Sequence, residues 1–220
     1  MFIVNCIDIT DKGQNWQALY EQASEGRRER ADKFMFLDDR KRCLCAELLM
    51  RYSLLTDRGI RFMGEPSLGK YGKPFIYGEE NFFFSVSHSG KWVVIAYGPS
   101  QVGADVEFIK SGSSPIAKNC FTQAELEYIN GSGDKGVDER FIKLWTLKES
   151  YIKYLGTGLS IPLDSFNIYA DRNPVCVDTD NVLTFTNIRF DSEYYISVCG
   201  EGGVSSVNTV TVNGCLDVIC

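Results

Sequence analysis

The chain has 220 residues, 44% of them hydrophobic and 24% charged, a balance that excludes long disorder, collagen and coiled coil as the main architecture. Lys and Arg total 23 against 29 Asp and Glu, a net charge of −6 with a single histidine. That balance argues against a nucleic-acid coat built on phosphate neutralisation, and one imidazole excludes any zinc site that needs two.

Taken in chain order, Phe2 to Ile9 alternates as a strand does, and Trp16 to Phe36 holds amphipathic helical stretches. Asp38 or Asp39 is expected to cap a helix whose stripe is Leu44, Leu48, Tyr52 and Leu55, with Arg40 and Arg42 in its first turn. Gly59 to Gly78 reads as loop and includes Tyr71-Gly72-Lys73-Pro74. Phe82 to Val86 and Trp92 to Tyr97 are strand-like, and Gly98-Pro99-Ser100-Gln101 is expected to fold Val102 to Phe108 back on Trp92 to Tyr97 as a hairpin. Loops are expected at Ser111 to Ser114 and at Gly131 to Gly136. Thr122-Gln123-Ala124-Glu125 is a capping box, and Val137 to Leu155 is the clearest helix, stopped by Gly156 and Gly158 with Pro162 beyond. Short β-rich segments follow: Leu183 to Phe190, Tyr194 to Cys199 and a Val/Thr-rich tail. This order predicts an α+β fold of helices against antiparallel sheets.

The start of the chain lacks the pattern of a signal peptide, and no stretch approaches the roughly 20 apolar residues of a membrane span. The eight cysteines, at 6, 43, 45, 120, 176, 199, 215 and 220, include no C-x-x-C pair and read as reduced small hydrophobes. A cytoplasmic protein is therefore expected.

The total charge conceals an asymmetry. Residues 1–100 carry 14 basic and 13 acidic side chains, whereas residues 101–220 carry 9 and 16. Arg27 to Arg42 alone holds seven cations, among them Arg27, Arg30 and Arg42, against four anions. Such a patch suits a small anionic ligand, or else it is a solvated helix face.

Asp105 and Glu107 lie two apart on a predicted strand and leave the same face, which suits half of a Mg²⁺ site or an ordinary exposed face. On the helix 137–155, Phe141, Leu144, Trp145, Ile152 and Leu155 form one stripe with Lys148 inside it; Glu149 and Lys153 sit at its border, spaced i, i+4. Those three groups either line a phosphate-and-metal cleft or make a surface ion pair beside a snorkelling lysine. The single histidine lies in Ser87-His88-Ser89-Gly90, read as a donor-rich turn between two strands, with no nucleophile elbow around it.

Phe82 to Ser89 with Trp92, then Gly103-Ala104-Asp105-Val106-Glu107, Phe121-Thr122 with Glu125, and Trp145-Thr146-Leu147-Lys148-Glu149-Ser150-Tyr151-Ile152-Lys153 resemble, in order, the signatures of the 4′-phosphopantetheinyl transferases. Gly156 to Phe166 continues the match, the likeness spans Arg27 to Cys199, and the monomeric surfactin-synthetase-activating type fits best. Ser85 stands where the family usually has Asn, Ala104 where it prefers a larger aliphatic, and Thr146 where Ser or Cys is common.

The resemblance implies two similar α+β halves related by a pseudo-two-fold, each an antiparallel sheet packed with helices. Residues 1–101 would bind the 3′-phosphate and adenine of coenzyme A and carry His88; residues 102–220 would carry the metal carboxylates and the catalytic helix. It implies transfer of the phosphopantetheine arm to a serine of an acidic acyl- or peptidyl-carrier protein of fatty acid, polyketide or nonribosomal peptide synthesis, releasing 3′,5′-ADP. By resemblance Asp105, Glu107 and Glu149 hold Mg²⁺, and Glu149, directly or through water, is the base. Lys153 stabilises the leaving group, and His88 and Ser87 contact phosphates. Arg27, Arg30 and Arg42 bind the 3′-phosphate, Lys73 and Pro74 lie in the adenine loop, and Lys148 joins the cofactor-binding set. No nucleic acid and no membrane are expected. The rival readings are another Mg²⁺-dependent phosphoryl or nucleotidyl transferase and a non-catalytic coenzyme-A-binding module.

Overall fold

The structure is a computed structural model that describes residues 1–112, 117, 120–131, 136–178 and 182–220. The loops expected at Ser113 and Ser114 and at 132–135 lie outside the described residues. The first half runs β1 (Phe2–Asp8), α1 (Trp16–Gln22), α2 (Glu25–Asp32), α3 (Leu37–Arg58), β2 (Ser67–Leu68), β3 (Pro74–Phe75), β4 (Phe83–Ser89) and β5 (Trp92–Gly98). The second runs β6 (Val102–Phe108), α4 (Gln123–Asn130), α5 (Val137–Leu155), β7 (Ile168–Tyr169), β8 (Cys176–Val177), β9 (Thr184–Phe190), β10 (Tyr194–Gly200), β11 (Val204–Thr209) and α6 (Val212–Ile219).

Both halves repeat one topology. A strand, a long helix and an antiparallel hairpin give the order β1-β5-β4 in the first sheet and β6-β10-β9 in the second. The central strands β5 and β10 are buried along their whole length. Their alternation explains why: Val93, Ile95 and Tyr97 face the helical core of α3, while Trp92, Val94 and Ala96 face the other sheet. In β10, Tyr195 and Cys199 meet the core under α5, and Tyr194, Ile196 and Val198 face β5 and β1. The result is four layers, helix, sheet, sheet and helix, with each buried large side chain contributing about 1.5–3 kcal/mol.

The edges β4 and β6 lie beside each other without a backbone ladder among the described residues. Serine hydroxyls join them: Ser85 Oγ accepts from the Ala104 amide at 3.0 Å, and Ser89 Oγ accepts from the Phe108 amide at 3.2 Å. Ser85 thus fills its place in the seam with a hydroxyl. Farther along, Lys91 bridges Asp8 and Asp191, and Trp92 donates to Asp191, which ties the sheets at the opposite corner.

Gly103 lets α5 lie directly on β6. A Cβ there would stand 1.9 Å from the Ser150 carbonyl oxygen and 2.2 Å from the Tyr154 amide, both helix backbone that has no rotamer with which to move aside. We expect Gly103→Ala to push α5 off the sheet and cost about 1–3 kcal/mol or more, read as a lowered denaturant midpoint.

Some expectations are corrected. The predicted hairpin between Trp92 to Tyr97 and Val102 to Phe108 does not form: β5 pairs with β4 and β1, and the turn at 98–101 carries the chain into the facing sheet, where β6 pairs with β10. The N-cap of α3 is Phe36, with no side-chain hydrogen bond, and Asp38 and Asp39 sit in its first turn, where the helix dipole favours them. His88 belongs to β4, not to a turn. By contrast the capping box at Thr122 and the left-handed C-cap at Gly156 form as read. The tail returns to the first half, β11 pairing parallel with β1 and α6 packing in the core of α3, so residues beyond 203 cross the 101/102 division.

Candidate functional site

The site is a cleft along β4 where the two halves meet. Its first chamber, about 300 Å³, is walled by Arg27 and Arg30 from α2, Asp39 and Glu47 from α3, and Phe84, Val86 and His88 from β4. It shares Gly72, Pro74, Phe84 and Val86 with a second chamber of about 280 Å³, which opens onto Tyr71, Glu149, Ile152 and Lys153.

The basic chamber is organised by a buried carboxylate. Glu47 accepts from the Ser24 amide at 2.8 Å and hydroxyl at 2.7 Å, pairs with Arg51 at 2.8 Å, and takes Arg27 Nε at 3.3 Å. Ser24 in turn caps α2, so the same carboxylate fixes the helix and the guanidinium. Arg30 is exposed at the rim and has no ion-pair partner among the described residues. Arg42 is occupied, donating to Asp39 at 2.6 Å and to the Gly90 carbonyl at 2.5 Å. Desolvation in the cleft, then the charges of Arg42 and Lys153, hold the His88 imidazole below its usual 6.5, so it is neutral at pH 7.

In the second chamber Lys153 Nζ donates to Asp105 Oδ1 at 2.7 Å and to Ser87 Oγ at 2.8 Å, and Ser87 donates to the same Oδ1 at 2.7 Å. Asp105 is 3% exposed, and its Oδ2 is buried with no hydrogen-bond partner. Ser89 donates to Glu107 Oε2 at 2.7 Å. Desolvation, followed by the Asp105 charge, pushes Glu107 up to about 7 and raises Glu149 as well. Two carboxylates, Glu107 and Glu149, raised by burial and by the charge of Asp105, and an orphaned buried oxygen on Asp105 are the donor chemistry of a hard divalent cation. Among the described residues they are not gathered into a closed metal-binding cluster, and Lys153 holds part of Asp105.

The pattern of the 4′-phosphopantetheinyl transferase superfamily matches residues 101–199, and that of the 4′-phosphopantetheinyl transferase N-terminal region matches 10–100. A 4′-phosphopantetheinyl transferase of Bacillus subtilis is 34% identical over 185 residues, covering 80% of this chain and 81% of the relative. The 4′-phosphopantetheinyl transferase Sfp of Bacillus subtilis (strain 168) is 36% identical over the same shares, and the 4′-phosphopantetheinyl transferase psf-1 of Bacillus pumilus is 35% identical over 90% of this chain and 88% of its own. The chain belongs to the 4′-phosphopantetheinyl transferase superfamily.

The transferase cleft gathers most of the residues named from sequence: Arg27, Arg30, His88, Pro74, Glu149 and Lys153 line it, and Ser87 and Asp105 touch Lys153. Two lysines are corrected. Lys148 is 0% exposed and spends its three donors on Glu125 at 2.8 Å and on the carbonyls of Leu163 and Phe166 at 2.5 and 2.7 Å, so it has none for a ligand. Lys73 lines the cleft with its stem, but its ammonium donates to the carbonyls of Val102 at 2.8 Å and Tyr154 at 3.2 Å and its pKa falls to about 8 through desolvation. It fastens the loop to the C-terminal end of α5, where the helix dipole favours a cation. Sequence reasoning missed Glu47, whose i, i+4 pairing with Arg51 inside an apolar run was the available signal, and the seam role of Ser89, which has no local signal.

Proposed function

We propose that this transferase moves the phosphopantetheine arm of coenzyme A to a serine of an acyl- or peptidyl-carrier protein, in a Mg²⁺-dependent reaction that releases 3′,5′-ADP. The observation that carries the reading is the buried, unpartnered Oδ2 of Asp105, whose Oδ1 holds Lys153 in the wall that also bears Glu149, next to the basic chamber. In this reading Arg27 and Arg30, with Arg42 behind them, hold the 3′-phosphate, Pro74 and the stem of Lys73 flank the adenine, and His88 donates to a phosphate through an N–H of its neutral ring. Asp105, Glu107 and Glu149 would hold Mg²⁺, which when bound supplies charge neutralisation at the diphosphate.

The serine hydroxyl attacks the β-phosphorus, forming a P–O bond while the bond to the bridging oxygen breaks and its electron pair leaves on 3′,5′-ADP. Glu149, which faces the second chamber, takes the serine proton directly or through water. Lys153 swings from Asp105 toward the departing phosphate, replacing a carboxylate partner with the negative charge that develops there. The chain acts as a monomer, because one chain supplies both walls of the cleft. Its free cysteines, five of them buried, suit the cytoplasm, and among the described residues no helix is long and apolar enough to cross a membrane. An acidic carrier would be drawn by exposed cations left over beside the basic chamber, such as Lys33.

Incubating an apo carrier with the protein, coenzyme A and Mg²⁺ should add the phosphopantetheine mass to the carrier in a mass spectrum. Addition of a nucleotide mass instead would establish a nucleotidyl transferase, and no addition with several carriers would overturn the proposal.

A further inference from the structure

The seam between β4 and β6 has a regularity that packing alone does not require. Ser87 bonds Asp105 and Ser89 bonds Glu107, each across a separation of 18 residues. Successive bonds at one offset mean that the two edges run parallel in register, with alternate side chains of one meeting alternate side chains of the other. At that same offset Ser85 faces Gly103, which offers no side chain, and its hydroxyl takes the Ala104 amide instead. The seam thus has three serines, of which two hold carboxylates and one holds only backbone.

We propose that Ser87 and Ser89 are positioning residues that fix Asp105 and Glu107 in the orientation that receives the divalent cation; this rests on the metal reading above. Both bonds are 2.7 Å from hydroxyl to carboxylate, the length of a charge-assisted hydrogen bond. Ser89 is itself anchored, because its oxygen also accepts from the Phe108 amide, so it transmits the position of the β6 backbone to the Glu107 carboxylate. Without that bond Glu107, on a flexible two-methylene stem, would sample several rotamers. On Asp105, Ser87 and Lys153 both take Oδ1 and leave Oδ2 turned away from them, buried and unpartnered. Groups that orient metal ligands typically govern about 10- to 100-fold in metal affinity.

The test is Mn²⁺ binding to the full chain with saturating coenzyme A and no carrier, read from the free Mn²⁺ signal in electron paramagnetic resonance. Ser89→Ala and Ser87→Ala should each weaken Mn²⁺ binding about tenfold. Ser89→Thr, which keeps the hydroxyl and suits a strand, should restore it. Ser85→Ala removes a seam bond of equal standing and should lower the melting temperature while leaving Mn²⁺ affinity as it was. If Ser89→Ala binds Mn²⁺ as the unaltered protein does, or if Ser85→Ala weakens binding equally, the serines only join the halves and the proposal is overturned. If the unaltered protein binds no Mn²⁺, the metal reading falls, and this proposal with it.

Discussion

Replacing Lys148 by alanine should unfold the protein at markedly lower denaturant, by about 3–5 kcal/mol, and leave the Michaelis constant for coenzyme A unchanged in the fraction that remains folded. The carboxylate of Glu125 is the reason. It is 2% exposed and closes the capping box of α4 while accepting from the Ile168 amide at 2.8 Å. Lys148 supplies the charge that makes this burial tolerable, and its ammonium also lies 4.2 Å from the Phe166 ring centroid. Removing one partner strands the other, whereas Lys148→Met combined with Glu125→Gln should recover most of the lost stability. A raised Michaelis constant with unchanged stability would return Lys148 to the cofactor site.

Asp105→Asn should act in the opposite sense, cutting turnover about a hundredfold or more while leaving the melting temperature equal or higher. An asparagine keeps the oxygen that Lys153 and Ser87 share, so the seam is preserved. What it removes is a buried negative charge, one oxygen of which finds no donor, set beside Glu107 and Glu149. Such a group costs stability in the free protein and repays it only in function. Carrier modification measured at several Mg²⁺ concentrations, beside a thermal melt, reads both quantities. Full turnover at low Mg²⁺ would remove Asp105 from the metal site, and a collapsed melt would make it structural.

These two residues also show what the sequence could tell. The helix 137–155 was legible to its ends, because its apolar residues recur at helical spacing and Gly156 provides the left-handed stop. On that helix Lys148 and Lys153 are five residues apart, a rotation of about 500°, so their directions differ by about 140° and one cleft could not take both. The position of Lys148 within the apolar stripe was the better guide. Asp105 and Glu107 were legible as a pair on one face, but their partners lie on a strand 18 residues earlier, and no local pattern records that pairing. The misread hairpin has the same origin: Gly98-Pro99-Ser100-Gln101 signals a turn, while the sheet into which the turn leads depends on Gly103 meeting α5. Arg27 was legible as a cation, but Glu47, which aims it, lies 20 positions away.

The parallel pairing of β11 with β1 bears on how the chain is made. Ser205 and Asn208 bond Phe2 and Asn5 across 203 positions, so the first sheet is closed only after the whole second half has been made. Until then a nascent chain that already carries the basic wall of the cleft holds β1 as an open edge, the kind of surface that chaperones cover and neighbouring chains invade. A cut between β5 and β6 would therefore not release two self-sufficient modules. The repeat visible in the topology is a repeat of shape, while folding treats the polypeptide as a single loop that closes where β11 meets β1.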